Sequence, residues 1–211
     1  MFRYIVIEGP IGVGKTSLAR LLAKASNARC ILEKAEDNPF LPYFYEDRKK
    51  YAFQTQIFFL LSRFQQQKEI AQFDLFNQIT LCDYLFAKDR IFATLNLDDL
   101  ELALYEQIYN LLNGQIPSPD LVIFLQAKPE VLLHRIKSRN IPYEKEVPLD
   151  YLKTLTEAYN YYFFHYDRTP LLVVNTSEID FVSRKEDFAQ LVREIKQMKK
   201  GTWYFIPMGS K

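Results

Sequence analysis

Gly-Pro-Ile-Gly-Val-Gly-Lys-Thr, at residues 9–16, is the stretch that decides the fold, because it matches every constrained position of the pattern G-x-x-x-x-G-K-[ST]. The apolar run at residues 4–7 before it predicts a buried strand, and the leucines and alanines of residues 17–23 after it have helical spacing. A phosphate-binding loop requires this strand–loop–helix order. A glycine-rich turn with a solvated lysine needs neither flank, so the sequence predicts a site for ATP or GTP.

The residue types of this loop suit a phosphate group. Its glycines let the backbone wrap closely, so that successive N–H groups and the start of the following helix point at phosphate oxygens. Lys15 adds a positive charge for the β- and γ-phosphates, and Thr16 offers a hydroxyl to Mg²⁺. The residues predicted to bind the nucleotide are Gly9, Gly12, Val13, Gly14, Lys15, Thr16 and Ser17.

Further apolar stretches predict strands, and helical stretches separate them. The strands are predicted at residues 30–32, 78–82, 121–125 and 171–174, and the helices at residues 51–72, 84–113 (a pair), 129–139, 149–166 and 185–199. Because the strands are apolar throughout and alternate with helices, we expect an α/β fold with about five parallel strands and helices on both faces. The basic tail at residues 196–200, followed by Gly201 and Trp203, is predicted to be a solvated helix end.

Length and composition bound the architecture and the partners. A chain of 211 residues with 48% hydrophobic residues is long enough for one well-buried domain, and we expect a single domain over residues 1–211. The net charge of +1 gives no general attraction to nucleic acid, and no apolar run approaches the ~20 residues that span a bilayer. Two isolated cysteines, Cys30 and Cys82, fit a reducing compartment. We therefore expect a cytoplasmic protein that binds neither nucleic acid polymers nor membranes.

Charged side chains are predicted to gather at one edge of the sheet. Glu33, Asp83 and Gln126 each follow a strand, and parallel sheets bind ligands at the carboxyl ends of their strands. Phosphoryl transfer needs a proton acceptor, a metal-orienting carboxylate and cations for the transferring group. Glu33 and Asp83 are the candidate carboxylates, and Arg135 and Arg139, one helical turn apart, are the candidate cations. Without the phosphate loop, these residues would be interpreted as helix caps and a solvated face.

The chain resembles the bacterial deoxynucleoside kinases, nearest the deoxyguanosine and deoxyadenosine kinase branch. The resemblance runs in order along nearly the whole chain, through residues 7–16, Glu33, 37–41, 44–45, 53–56, Arg63, 83–84, 91–93, 135–139, Glu144 and 150–152. Such an ordered set is far more specific than the phosphate loop alone. It implies a P-loop kinase fold with an arginine-bearing lid at about residues 135–147.

The resemblance also implies an activity and the residues that perform it. ATP, with Mg²⁺ held by Thr16 and Asp83, would phosphorylate the 5′-hydroxyl of a deoxynucleoside, purines favoured, in nucleotide salvage, and the enzyme would be a homodimer. Glu33 matches the general base, Gln56 matches the glutamine that binds the base edge, and Lys15, Asp83, Arg135 and Arg139 complete the catalytic set. The residues expected around the nucleoside are Glu33, Phe40, Tyr45, Phe53, Gln56, Arg63, Asp83, Tyr84, Phe92 and Glu144.

Two departures from the family pattern stand out. Many members have Asp-Arg-Ser or Glu-Arg-Ser after the third strand, where the arginine supports the phosphate and the catalytic acid, whereas Tyr84 and Leu85 follow Asp83 here. Tyr84 would line the sugar site, and Arg90 would replace the arginine in part. The lid also keeps only the first arginine of Arg-Gly-Arg, since Asn140 and Ile141 follow Arg139. Either one phosphate contact is missing, or Lys137 or Lys145 supplies it.

Two alternatives remain open from the sequence. A nucleoside monophosphate kinase, such as a thymidylate kinase, uses the same loop and lid but must clamp a substrate phosphate with additional arginines, for which Arg48, Arg63 and Arg90 are available. Glu33 would repel a monophosphate. A non-catalytic switch that binds ATP or GTP is the second alternative. The chain has no N-K-x-D segment for reading guanine, and a switch would not need an acceptor site.

Overall fold

Six parallel strands form one sheet in the computed structural model, which describes residues 2–73, 79–144 and 147–207. The strands are Tyr4–Glu8 (β1), Arg29–Ile31 (β2), Thr80–Cys82 (β3), Leu121–Gln126 (β4), Leu171–Asn175 (β5) and Thr202–Phe205 (β6). Their order across the sheet is β2-β3-β1-β4-β5-β6, and every neighbouring pair is parallel. The prediction of an α/β fold with a parallel sheet is confirmed.

Eight α-helices lie in the described ranges. They are Lys15–Ser26 (α1), Leu41–Glu46 (α2), Arg48–Phe73 (α3), Lys88–Asn96 (α4), Asp99–Asn113 (α5), Pro129–Arg139 (α6), Leu149–Phe164 (α7) and Lys185–Gln197 (α8), with short 3₁₀ helices at Ala35–Asp37 and Pro142–Glu144. All the helices predicted from spacing are present, with their bounds shifted by a few residues at most. The predicted start of the third strand at residue 78 lies outside the described residues.

The structure corrects the prediction at two places. Residues 202–205 form β6, which pairs with β5 at the edge of the sheet, where a solvated tail was predicted. Three of its four residues are exposed, so it lacks the apolar run by which the other strands were predicted. Helix α2 was also missed, because it is only six residues long and follows a Pro-containing turn.

The core lies on both faces of the sheet. Successive β1 residues point to opposite faces, so Ile5 and Ile7 belong to one cluster, with α1, α6 and α8, while Val6 belongs to a second cluster with α4 and α7. The central strands β1 and β4 are almost fully buried. This packing fixes the carboxyl ends of β1, β2 and β3 side by side, which brings residues 9–16, Glu33 and Asp83 to one edge. No helix in the described residues is long and apolar enough to cross a membrane.

Candidate active site

A cavity of about 520 Å³ lies at the carboxyl ends of β1, β2 and β3. This volume suits a small organic ligand. Most of the residues predicted for the site line it: Gly12, Lys15, Thr16, Glu33, Tyr45, Gln56, Arg63, Asp83, Phe92, Arg139 and Glu144. One cavity therefore joins the phosphate loop to the predicted acceptor side.

The loop between β1 and α1 has the backbone conformation of an anion-binding site. Gly9, Gly12 and Gly14 all have positive φ, at 151°, 82° and 106°. A Cβ at Gly12 would lie 2.9 Å from the Leu132 carbonyl oxygen, so only glycine fits there. No side chain in the described residues caps the start of α1, which leaves its N–H groups for a ligand.

Lys15 is held over the loop by the loop itself. Its Nζ donates to the carbonyl oxygens of Gly9 at 2.7 Å and Pro10 at 3.2 Å. Burial, together with repulsion from Lys88, lowers the pKa of Lys15 to about 8 despite the attraction of Glu8, Glu33 and Asp83. An anionic phosphate would favour the charged form of this lysine.

Asp83 connects the phosphate loop to the acceptor side. Its Oδ2 accepts a hydrogen bond from the Thr16 hydroxyl at 2.5 Å, and its Oδ1 accepts from the Glu33 N–H at 2.7 Å. A hydroxyl and a carboxylate in contact at the mouth of a phosphate loop are oxygen ligands of the kind that Mg²⁺ prefers together with phosphates. The residues present therefore fit a magnesium ion.

Glu33 lies in a buried network of charges drawn from α3 and α4. Its Oε1 accepts from Nε and Nη2 of Arg63 at 2.7 and 2.5 Å, and its Oε2 accepts from Nζ of Lys88 at 2.8 Å. Arg63 also donates from Nη1 to Asp89 Oδ2 at 2.5 Å. Gln56 Nε2 donates to Asp89, to Oδ1 at 3.1 Å and to the backbone oxygen at 3.2 Å. Every side chain of the network is thus held by another.

The two cations keep Glu33 ionised. Burial by itself disfavours the carboxylate, but Arg63 and Lys88 outweigh it and hold the pKa of Glu33 well below its usual range. The Glu33 side chain is still 18% exposed toward the cavity, whereas those of Arg63 and Lys88 are 5% and 4% exposed. A carboxylate that is ionised, fixed and open on one side is suited to accept a proton or hydrogen bond from a hydroxyl.

The two predicted lid arginines have different surroundings. Arg139 lines the cavity, and its Nη2 donates to Glu144 Oε2 at 2.8 Å. Arg135 instead donates to the carbonyl oxygens of Val13, Thr176 and Ile179, at 3.3, 2.8 and 3.4 Å, and to the Thr176 hydroxyl at 3.1 Å. It lies outside the cavity lining and ties α6 to the back of the phosphate loop. Arg139 therefore lines the cavity, and Arg135 does not.

Five further residues predicted outside the phosphate loop do not line the cavity. Tyr84, two residues after the end of β3, is fully buried in the second core cluster, and its hydroxyl lies 3.5 Å from the Arg63 carbonyl oxygen. Phe40 precedes α2 and Phe53 lies within α3, and neither side chain lines the cavity. Arg90 points away from it and pairs with Glu106 at 2.8 Å. Gln126, expected at the same edge, donates to Asn160 instead.

Three buried charged residues of the site were not assigned a role from the sequence. Lys88 and Asp89 begin α4 and complete the network around Glu33. Glu8 ends β1, and its carboxylate accepts from the N–H groups of Gly9 and Leu85 at 2.8 and 2.6 Å and from the Tyr159 hydroxyl at 3.2 Å. Glu8 could have been found by the same strand-end rule that identified Glu33. Lys88 and Asp89 carry no such signal, because charges at a helix start are usually solvated.

Comparison with known proteins supplies the remaining observations. The sequence model described as "Deoxynucleoside kinase" matches residues 5–200. The deoxyguanosine kinase of Bacillus subtilis is 36% identical over 92% of this chain and 97% of its own, and the deoxyadenosine kinase of Dictyostelium discoideum is 40% identical over 90% of this chain and 78% of its own. A structure of the deoxyadenosine kinase from M. mycoides, with products dCMP and a flexible dCDP bound, superposes with a TM-score of 0.80 at 26% identity, over 92% of this chain and 99% of the other.

Proposed function

The chain belongs to the deoxynucleoside kinase family, and from this premise we propose that it transfers the γ-phosphate of ATP to the 5′-hydroxyl of a deoxynucleoside, with purine nucleosides preferred. One observation carries the proposal: a single cavity joins the phosphate loop of residues 9–16 to an ionised Glu33 held in a buried network. The product is the 5′-monophosphate, as expected of an enzyme of nucleotide salvage.

The proposed chemistry uses the groups around Glu33 and the loop. A bond forms between the 5′-oxygen and the γ-phosphorus as the bond to the leaving ADP oxygen breaks, and Glu33 takes the hydroxyl proton. Lys15 and Arg139 balance the charge of the transferring group from the loop and the lid. Mg²⁺, bound at Thr16 and Asp83, would neutralise phosphate charge.

Base recognition is proposed to depend on Gln56. Its amide nitrogen is already engaged by Asp89, so its Oε1 is left to accept a hydrogen bond from an N–H of the base edge. Adenine and guanine both offer such a donor. Tyr45 and Glu144 line the same cavity, and Tyr45 stacks on Tyr143 of the lid with ring centroids 5.7 Å apart. We assign Glu144 to the sugar 3′-hydroxyl and Phe92 to the wall beside the base.

The assembly and setting are part of the same proposal. We propose a cytoplasmic homodimer that packs through α5 and α7, which expose large apolar side chains: Leu100, Leu104, Leu111, Tyr161 and Phe164. Sedimentation at micromolar concentration should give twice the monomer mass of 25.0 kDa, and a monomer would contradict this part. We also propose that residues 1–211 form one domain and that residues 135–147 act as its lid.

The arginines argue against a monophosphate as the acceptor. Arg48 stacks on Tyr151 with its guanidinium carbon 4.0 Å from the ring centroid, Arg63 is held by Glu33 and Asp89, and Arg90 pairs with Glu106. Each of the three candidate clamps is thus engaged elsewhere. The ionised Glu33 would also repel a phosphate at the acceptor position.

The decisive test is ATP consumption with Mg²⁺ against the four deoxynucleosides, their ribose counterparts and thymidine monophosphate. We expect turnover with deoxyguanosine or deoxyadenosine, and negligible ATP hydrolysis without an acceptor. Activity confined to thymidine monophosphate would contradict the proposal in favour of a nucleotide kinase. Inactivity with every acceptor, alongside measurable ATP binding, would support the switch instead.

A further inference from the structure

This chain lacks the arginine that many family members have directly after the strand-end acid, so another residue must support Glu33. Family members with Asp-Arg-Ser or Glu-Arg-Ser have a cation directly after the strand-end acid, whereas this chain has Tyr84. The ring of Tyr84 is fully buried among apolar side chains, outside the cavity lining. Arg90, the other candidate by position, pairs with Glu106 on the outer side of α4. Neither residue contacts Glu33.

Lys88 makes the contact with the Glu33 carboxylate that Tyr84 and Arg90 do not make. Its Nζ lies 2.8 Å from Oε2 of Glu33, on the carboxylate oxygen that Arg63 does not bind. Its side chain is 4% exposed and lines the cavity. In the described residues, Glu33 is the only carboxylate with which Lys88 forms an ion pair.

The local backbone explains why a lysine at position 88 can reach this point. The Leu85 N–H donates to the buried carboxylate of Glu8 at 2.6 Å, which fastens the segment after Asp83 to the end of β1. The Lys88 N–H then donates to the Leu85 carbonyl oxygen at 3.0 Å, forming the turn that leads into α4. Lys88 is therefore presented at the first position of that helix, directly opposite Glu33.

Among the four ion-paired side chains of the network, Lys88 supplies one of the two positive charges. Glu33 and Asp89 contribute two negative charges, and Arg63 and Lys88 contribute two positive charges. Arg63 is shared between both carboxylates, so it cannot neutralise Glu33 alone. Removing Lys88 would leave a buried excess negative charge beside the position proposed for the incoming phosphate, which is unfavourable.

Taking the proposed function as given, we infer that the positive charge of Lys88 positions the carboxylate of Glu33. The resemblance assigns a similar supporting role to the arginine of Asp-Arg-Ser or Glu-Arg-Ser, which this chain lacks. Lys88 and Arg63 hold the two carboxylate oxygens from different helices, so that the carboxylate keeps one orientation toward the cavity. The lysine acts through Glu33 and has no direct part in binding the base.

The test compares Lys88→Met and Lys88→Arg with wild type at saturating ATP. Methionine keeps the length of the side chain and removes its charge, and Arg90→Met on the same helix is the matched control. We expect Lys88→Met to lower kcat about 100-fold while the deoxynucleoside KM changes less than about threefold. Lys88→Arg should recover at least about tenfold of the loss. Arg90→Met should stay within about twofold of wild type.

The split between kcat and KM separates a positioning role from a structural one. Lys88 and Arg63 donate to different oxygens of the Glu33 carboxylate, so loss of Lys88 should lower kcat while the deoxynucleoside KM changes little. Lys88→Arg should recover part of the lost kcat, because its guanidinium again offers a donor and a positive charge to Oε2. A variant that only disturbed packing would lower thermal stability and deoxynucleoside binding as well, and arginine would not recover its kcat.

Several outcomes would overturn the inference. Wild-type kcat in Lys88→Met would do so, and so would a loss of kcat that Lys88→Arg does not recover. If thermal melting shows that Lys88→Met is unfolded, Lys88→Gln replaces it under the same criteria. Wild-type enzyme that is inactive with every deoxynucleoside would contradict the proposed function, whereas active wild type with an equally active Lys88→Met contradicts only the role of Lys88.

Discussion

The two ends of the cavity are built in opposite ways. At the phosphate end, the contiguous residues 9–16 supply backbone N–H groups, three glycines with positive φ, and the charge of Lys15. At the nucleoside end, Glu33, Gln56 and Asp89 come from separate segments and are held together by buried side-chain contacts. One end is a local structure, and the other exists only through tertiary packing.

This difference predicts different responses to substitution. Removing the Lys15 side chain from the phosphate loop takes away its hydrogen bonds to two loop carbonyl oxygens and breaks no ion pair found in the described residues. A side chain removed from the network around Glu33 leaves a buried partner without its charge or hydrogen bond, so binding, catalysis and stability change together. If substitutions at both ends change activity and thermal stability in the same way, the two ends of the cavity are not built differently.

Lys15→Ala should have the largest effect. We expect kcat/KM to fall at least about 1000-fold, because the principal cation at the phosphates is lost. Thermal stability should hardly change, because Lys15 contacts only two loop carbonyl groups through its Nζ. Steady-state kinetics and thermal melting measure the two effects, with Lys24→Ala, exposed on the same helix, as the control. An active Lys15→Ala enzyme would contradict the assignment of the loop.

Glu33→Gln should have the second-largest effect on activity. We expect kcat to fall at least about 100-fold while calorimetry still detects deoxynucleoside binding, because the amide keeps the shape but takes no proton. Unlike Lys15→Ala, this variant should also melt at lower temperature, since Arg63 and Lys88 lose their shared carboxylate. Glu46→Gln, exposed on α2, is the control. A near-wild-type rate would exclude Glu33 as the base.

ATP binding should weaken as the pH rises through about 8. Burial and the charge of Lys88 lower the pKa of Lys15 to about 8, so the free enzyme loses this positive charge above that pH. The affinity for ATP should then fall by up to about tenfold per pH unit. Titration calorimetry at pH 7 and pH 9 measures the change. Equal affinities at both values would show that Lys15 remains charged.

Gln56→Ala should alter selectivity more than rate. We expect preference among bases to fall about tenfold, because the variant lacks the Oε1 acceptor proposed to meet the base edge. Asp89 also loses a hydrogen-bond donor, which should lower the melting temperature modestly. Ratios of kcat/KM for the four deoxynucleosides provide the measurement, and Gln54→Ala, exposed on the same helix, is the control. An unchanged preference among bases would show that residues other than Gln56 recognise the base.

Tyr84→Phe should have the smallest effect. The resemblance implied a place beside the sugar, whereas the structure buries Tyr84 away from the cavity, with its hydroxyl 3.5 Å from the Arg63 carbonyl oxygen. We therefore expect the deoxynucleoside KM to change by less than about twofold. Tyr45→Phe, inside the cavity lining, should change KM more. A larger effect of Tyr84→Phe on KM would support the prediction that Tyr84 lies beside the sugar.

Most of the fold was predictable because its signals are local. Apolar runs identified the buried strands β1, β3, β4 and β5 within a few residues, and helical spacing identified α6 with the bounds that the structure shows. The exceptions have physical reasons. The edge strand β6 is mostly exposed, and α2 is too short to show a helical period.

The site was predictable only where position in the chain implies position in space. Glu33 and Asp83 were found because strand ends meet at one edge of a parallel sheet. In the structure, the Asp83 carboxylate accepts hydrogen bonds from the Thr16 hydroxyl and from the Glu33 N–H. Arg135 and Arg139 looked equivalent by helical spacing, yet Arg135 is tied to the back of the loop and Arg139 faces the cavity. Spacing gives the face of a helix but not the contact made by a long side chain.

Residues 9–16 and the order of strands and helices were sufficient to predict a phosphate-binding α/β protein, since backbone conformation and strand burial depend on neighbouring residues. Tertiary packing alone decided that Lys88 pairs with Glu33, that Asp89 joins Gln56 to Arg63, and that Tyr84 is a core residue. The physical reason is that a buried charge is stable only beside a partner, and these partners come from segments far apart in the chain.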